Sequence, residues 1–386
     1  MAKRLCYIHI GPHKTGTKSI QWFLKENRTE LLNRGYFVPE SGNNHGGHHA
    51  IVRDFCGQEL PEHQRSAASN FARALQKTRS EAVILSSEAL DGLLRKRDYA
   101  EALFHRLGKL NLEPKLVLFV RNQSQLINSR YAQVIKGFRC CESFEAFVHG
   151  LTQRPDFRYS PLIELTDAFH TELIPRRFNE ETIAHGVVAA FLQAIGIDPS
   201  QFPDTGVRRN AAAGPFTVSV ARCVLRSISA RGVQPNWMQA ERCKKTLLGY
   251  LQENGWADTG YCGLMTSLAR QIENEWRSDN NKFAQRVWGR LWEEVFAADI
   301  GREFTPNDFE LSPPDEFIER RLCKAVRQMT ARVEEILRLP ALAVEAAWNN
   351  LRQRSGRPAQ YGFSLLLFFR DLLDDIDLLF WCDWIS

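Results

Sequence analysis

Residues 8–21 read IHIGPHKTGTKSIQ: an apolar strand ends, a glycine-bearing turn follows, and a helix begins with hydroxyl residues in its first turn. Such a junction makes an anion site, because unpaired backbone N–H groups and the positive end of the helix dipole point at whatever sits there. Lys14 adds a full charge, and Gly16 lets the backbone approach an anion with no Cβ in the way. Gly11 and Gly16 have the separation of the nucleotide-triphosphatase loop, G-x-x-x-x-G-K followed by Ser or Thr. Here, however, position 17 is Thr, and Lys18-Ser19 arrive one residue late. One residue turns a helical side chain by about 100°, which takes Lys18 off the β/γ-phosphates. The plain alternative is a Gly-Pro turn that opens a helix and holds nothing.

Working outward, three short apolar segments each precede turn chemistry and a helical pattern. Leu5–Ile10 leads to a helix at 17–34, Ala82–Leu85 to one at 99–110, and Lys115–Val120 to one ending near Lys136. A short strand is expected at 36–38, another at 172–175, and a helix at 183–195. Strands alternating with helices at this spacing predict βαβ units and a parallel sheet. From about residue 213 to 350 the apolar spacing is helical. The fold class expected is therefore α/β: a P-loop-like parallel sheet flanked by helices, with a mainly helical C-terminal half. Residues 1–300 are expected to form the α/β domain, 301–352 a helical extension, and 353–386 a linker with an amphipathic tail. Trp237, Trp256, Trp276, Trp288 and Trp292 lie in the helical half and suit core and cleft packing.

Composition narrows the function. The 386 residues are 44% apolar and 25% charged, with a formal charge of +5. That charge fits one anionic ligand better than a nucleic-acid face, since no dense Lys/Arg run is present. The nine cysteines are scattered without C-x-x-C or paired Cys/His ligand spacing, as in a reduced cytoplasmic protein. The apolar N-terminal stretch is too short for a secretory signal, and no run approaches the ~20 apolar residues of a membrane span.

A second element joins the first. The strand KLVLFV ends in Arg121-Asn122, and Ser129 follows on the next helix. An arginine fork with a hydroxyl suits a phosphate monoester. Together the two elements resemble the sulfotransferase family. Its 5′-phosphosulfate loop runs P-K-x-G-T, a hydroxyl residue, then Ser; here the loop stands as His13-Lys14-Thr15-Gly16-Thr17-Lys18-Ser19. Its 3′-phosphate motif pairs an arginine at this strand's end with a serine on the helix. The order of Tyr159-Ser-Pro-Leu162, Arg176-Arg177-Phe178, Asn210 and 278–283 is also similar to bacterial members, so the resemblance covers roughly residues 5–300.

The resemblance implies binding of 3′-phosphoadenosine-5′-phosphosulfate (PAPS), with 3′-phosphoadenosine-5′-phosphate (PAP) as product and no metal. Lys14 is implied at the bridging oxygen of the scissile bond. Thr15, Gly16, Thr17, Lys18 and Ser19 are implied around the 5′-phosphate, and Arg121 with Ser129 at the 3′-phosphate. Lys18 replaces the family's usual small hydroxyl residue. An acceptor hydroxyl needs a general base, and two places offer one. The loop 43–49 (NNHGGHH) carries His45, His48 and His49, of which His49 or His48 is favoured. Glu88, after the strand at 82–85, is second. A His-rich tract also reads as metal-binding, but no carboxylate or cysteine completes a set. His9 reads as a satisfied core residue. The acceptor expected first is a carbohydrate, since aromatic faces stack on sugars; a lipid or small aromatic alcohol stays open. A phosphate-loop kinase and an inactive nucleotide-binding interaction module are the competing readings.

Overall fold

In a computed structural model, residues 3–40, 46–152, 157–202, 213–256, 258 and 260–338 are described. The expected linker and tail, 353–386, lie outside them, as do His45 and Asn210. The chain forms two compact units of three segments each. The first comprises Met1–Leu126, Thr152–Asn210 and Thr266–Glu303; the second comprises Ile127–Leu151, Ala211–Met265 and Phe304–Ser386. Helical residues at 266–303 thus group with the sheet, whereas those at 211–265 group with the helix at 316–338.

In the first unit the chain runs β1 (Arg4–His9), α1 (Thr17–Glu26), α2 (Arg28–Asn33), β2 (Tyr36–Phe37), α3 (His49–Phe55) and α4 (Ala67–Lys77). It continues through β3 (Ala82–Ser86), α5 (Ala89–Leu93), α6 (Arg97–Lys109) and β4 (Leu112–Val120). Helix α7 (Gln123–Lys136) carries the chain into the second unit, and α8 (Phe144–Thr152) brings it back. Then come α9 (Ser160–Ala168), β5 (Glu172–Arg177), α10 (Glu180–His185) and α11 (Val187–Ala194). After the second unit's α12 (Pro215–Ser229) and α13 (Trp237–Glu253), the first unit closes with α14 (Thr266–Trp288), α15 (Trp292–Val295) and α16 (Ala297–Ile300). The last described helix, α17 (Glu316–Arg338), belongs to the second unit.

The five strands form one sheet in the order β2-β3-β1-β4-β5, and every pairing is parallel. The expected α/β class is the observed one. Alternation along the strands sorts side chains onto two faces. Cys6, Ile8, Val83, Leu85, Leu116, Leu118 and Val120 join one apolar cluster; Ile84, Val117 and Phe119 join the other. The first face is covered by α3, α4 and α6, the second by α1 and α11. On α1, Ile20, Phe23 and Leu24 make the inward stripe, each burial contributing about 1.5–3 kcal/mol.

Two expected helices are broken. The helix expected at 17–34 closes at Asn27, whose side-chain amide and backbone N–H both donate to the Phe23 carbonyl, at 3.0 and 2.9 Å. A side chain competing for backbone acceptors ends the helix locally. The helix expected at 183–195 splits at Gly186, whose φ of 95° is outside helical space. In the second unit, Ala325, Met329, Val333 and Ile336 are the buried stripe of α17, which packs on α12. Among the described residues no helix is long and apolar enough to cross a membrane.

Candidate functional site

The strand order reverses about β1, which lies between β3 and β4. In open α/β sheets a crevice opens at such a point, at the strands' carboxyl ends. There the loop from Ile10 to Gly16 crosses the edge. The Ile10 N–H still donates to the Val117 carbonyl at 3.0 Å, so the loop starts pinned to β4. A Cβ on Gly11 would collide with Thr17 Oγ1 and lie 2.9 Å from the His9 ring. Lys14 and Gly16 both adopt left-handed backbone, φ 70° and 79°. For a lysine that conformation costs about 1–2 kcal/mol, and such strain persists where the surroundings enforce it. Two contacts do so: Thr15 Oγ1 donates to the Pro12 carbonyl at 2.7 Å, and Arg121 Nη1 donates to the Lys14 carbonyl at 2.9 Å.

Gly16 precedes α1 and supplies no side-chain cap, and the first turn holds no acidic residue. The helix therefore presents its first N–H groups and its positive dipole end uncompensated. Beside them, Thr17 Oγ1, Gln21 Nε2 and His9 Nε2 are buried without a hydrogen-bond partner among the described residues. Buried polar atoms left unpaired are costly, and they mark positions where a bound group can supply the partner. Lys18 is exposed and Ser19 half-exposed.

Arg121 leaves β4 where Tyr159 holds its backbone. The tyrosine hydroxyl accepts from the Arg121 N–H at 3.3 Å and donates to its carbonyl at 2.8 Å. The guanidinium lies 5.3 Å from the Phe178 ring centre. Burial pulls its pKa down to about 10, against the opposing charge of Asp299. Its Nε–H has no hydrogen-bond partner among the described residues, so it can donate to an anion's oxygen. Ser129 is half-buried on α7, in the segment belonging to the second unit. The first unit's edge is built without it.

The end of β3 organises four histidines. Ser86 Oγ meets His9 Nδ1 at 2.8 Å, and the Ser86 N–H donates to His48 Nδ1 at 3.0 Å. Ser87 Oγ meets His49 Nδ1 at 2.8 Å, and Glu88 Oε2 lies 3.1 Å from His13 Nδ1. These environments sort the rings chemically. Burial pushes His9 and His48 down to about 4, so both are neutral near pH 7. His48 Nε2 faces the Pro39 carbonyl at 3.1 Å; both its nitrogens are taken by backbone, which suits a strut rather than a base. His9 is core on one nitrogen only. His49 is the first residue of α3 rather than part of a free loop. Burial pushes Glu88 up, but the hydrogen bond from His13 and the charges of His13, Lys18 and His49 outweigh it and hold the carboxyl at about 2.

Of the expected site residues, the structure thus joins Lys14 with Arg121, and brings Lys18, His49 and Glu88 into one electrostatic group. Sequence reasoning missed His13 as the partner of Glu88, and Ser86 and Ser87 as holders of histidines. Their signal is the Ser-Ser-Glu run at a strand end, and nothing local tells which residues face it. Among the described residues no group of three His, Cys, Asp or Glu side chains can hold a metal. No protein-family model and no curated protein matches the chain. Fold and edge define an α/β protein in which the first-strand loop, the uncapped start of α1 and Arg121 meet at the carboxyl edge of a parallel sheet.

Proposed function

We propose that the chain is a PAPS-dependent sulfotransferase, moving a sulfuryl group to an acceptor hydroxyl or amine. The observation that carries this reading is the bond from Arg121 to the Lys14 carbonyl. Lys14 of the first family-like motif and Arg121 of the second, distant in sequence, meet at one sheet edge around a strained loop. In this reading the first turn of α1, with Thr17 and Ser19, receives the 5′-phosphate, and Arg121 receives the 3′-phosphate. Lys14 neutralises charge that builds on the departing phosphate oxygen, the stage at which preorganised electrostatics contribute most. Sulfuryl transfer then proceeds as an in-line displacement governed by positioning, without a metal.

The acceptor proposed is a glycan, on the arginine-rich composition of the helical half alone, since Trp276 and Trp292 are buried core. A reducing, cytoplasmic setting is proposed because the described cysteines are all free thiols.

The test is calorimetric binding of PAP beside AMP and ATP–Mg²⁺, on wild type and on Arg121→Ala, with circular dichroism to check folding. The expected result is PAP binding in the micromolar range, at least ~100-fold tighter than AMP and lost in the variant, since a charged hydrogen-bonded contact contributes about 1.5–3 kcal/mol or more. Preference for ATP–Mg²⁺, or indifference to the 3′-phosphate, overturns the reading in favour of a kinase or a binding module.

A further inference from the structure

We propose that His13 is the general base of the reaction and that Glu88 fixes its tautomer; this rests on the sulfuryl-transfer reading. Of the four histidines on the end of β3, two are excluded by burial. His9 is 0% exposed, and so is His48, whose ring nitrogens both meet backbone. His49 is set aside by its surroundings: its Nδ1 meets Ser87 Oγ at 2.8 Å, and its Nε2 lies where a Cβ on Gly47 would collide with it.

His13 faces a carboxylate instead. Its Nδ1 lies 3.1 Å from Glu88 Oε2, with both side chains partly open to solvent at 19% and 17%. An ionised carboxylate only accepts, so Nδ1 carries a proton, and in the neutral ring the basic lone pair is on Nε2. This is the base-and-orienter logic of nucleophile activation. A carboxylate held ionised in this way is itself a weak base but a firm orienter. His13 also precedes Lys14, so base and charge stabiliser share one strained loop.

In the step, the acceptor oxygen forms a bond to sulfur while the bond from sulfur to the 5′-phosphate oxygen breaks. The acceptor proton moves to His13 Nε2, and the electron pair leaves on the phosphate of PAP, beside Lys14. Atoms and charge balance without any further reactant.

The test uses the whole chain, PAPS as donor and water as acceptor, with sulfate release as readout and PAP calorimetry on each protein. Nitrogen-15 spectra of the imidazoles report the tautomer. His13→Asn is the decisive variant, because its amide can still donate to Glu88 but has no basic nitrogen. The expected result is an Nδ1-protonated His13, with sulfate release at least ~100-fold slower in both His13→Asn and His13→Gln and PAP affinity within about threefold of wild type. Near-wild-type release in His13→Asn overturns the proposal and leaves His13 a positioning role. An Nε2-protonated His13, or a greater loss in His49→Gln, also overturns it. So does wild-type protein that binds PAP and releases no sulfate. Failure of wild type to bind PAP is a different outcome, and removes the sulfotransferase reading itself.

Discussion

In the second unit the guanidinium of Arg222 is 1% exposed, and its Nη atoms donate to both Asp308 oxygens at 2.8 and 2.6 Å and to the Tyr131 hydroxyl at 2.7 Å. Tyr261 completes the set, donating to Asp308 at 2.6 Å, while Glu310 lies 3.2 Å from Arg222 Nε. In the first unit the loop edge is assembled on other terms. Its backbone is left-handed at two places, and Thr17, Gln21, His9 and Arg121 each keep a buried polar atom without a hydrogen-bond partner among the described residues. The contrast teaches a way to separate stability from function. The Arg222 guanidinium is hydrogen-bonded at both Nη atoms and keeps only its Nε without a hydrogen bond among the described residues, with a carboxylate beside it, whereas the loop edge gathers four such atoms where an arriving group can supply the partners.

Breaking the paired cluster should have the largest effect. Asp308→Ala removes the bidentate partner of a buried guanidinium and should cost about 3–5 kcal/mol, read as a lower urea midpoint with unchanged slope. A double change to apolar residues, Arg222→Met with Asp308→Leu, should recover much of it. A loss below ~1 kcal/mol in the single variant would mean the cluster is not what holds the second unit.

Acid should separate the two regions next. His9 and His48 have folded pKa values near 4 against an ordinary 6.5. Between these values the unfolded chain binds more protons, so stability is complete above about pH 6.5 and falls on acidification. The loss levels off below about 4, at up to ~3 kcal/mol for each imidazole. Hydrogen bonds from Arg222 and Tyr261 outweigh the burial of Asp308 and hold its carboxyl below the ordinary 3.8, so its contribution is lost only in stronger acid. Amide spectra recorded from pH 7 to 3 should therefore lose β1 and β3 before α12. Simultaneous loss would erase the distinction.

Smaller effects sharpen the loop's side of the comparison. Gly16→Ala forces a Cβ to within 2.8 Å of Val187 at φ 79° and should cost about 1–3 kcal/mol, with PAP affinity falling at least ~10-fold. An alanine that binds PAP normally would show that the loop geometry is not the binding geometry. Lys14→Gly should do the opposite to stability. Relief of roughly 1–2 kcal/mol of left-handed strain is partly offset by about 0.4–1 kcal/mol of added unfolded-state entropy. The net gain is ~0.5 kcal/mol in thermal unfolding, while sulfate release from PAPS is abolished.

Much of this was legible in the sequence because it is local. Apolar runs at 5–10, 82–85 and 115–120 mark β1, β3 and β4, since a strand buried on both faces needs apolar residues throughout. Gly11 and Gly16 mark the loop, since a residue without a Cβ suits a close backbone turn at a helix start, and Lys14 marks its charge. The helix breaks were harder. Asn27 ends α1 through its own side chain and Gly186 divides α10 from α11 by a positive φ, and either residue is tolerated inside a helical pattern.

What only the tertiary structure decided is which residues meet. The register that sets His9 opposite Ser86 and Ile8 opposite both Leu85 and Leu116 brings the ends of three strands to one edge. There Arg121 finds the Lys14 carbonyl and Glu88 finds His13. The four histidines look alike in the chain, yet burial makes two of them neutral, His48 held at both ring nitrogens and His9 at one, and leaves another beside a carboxylate. Proton affinity depends on solvent and neighbours in space, and neither is written into a residue's place along the chain.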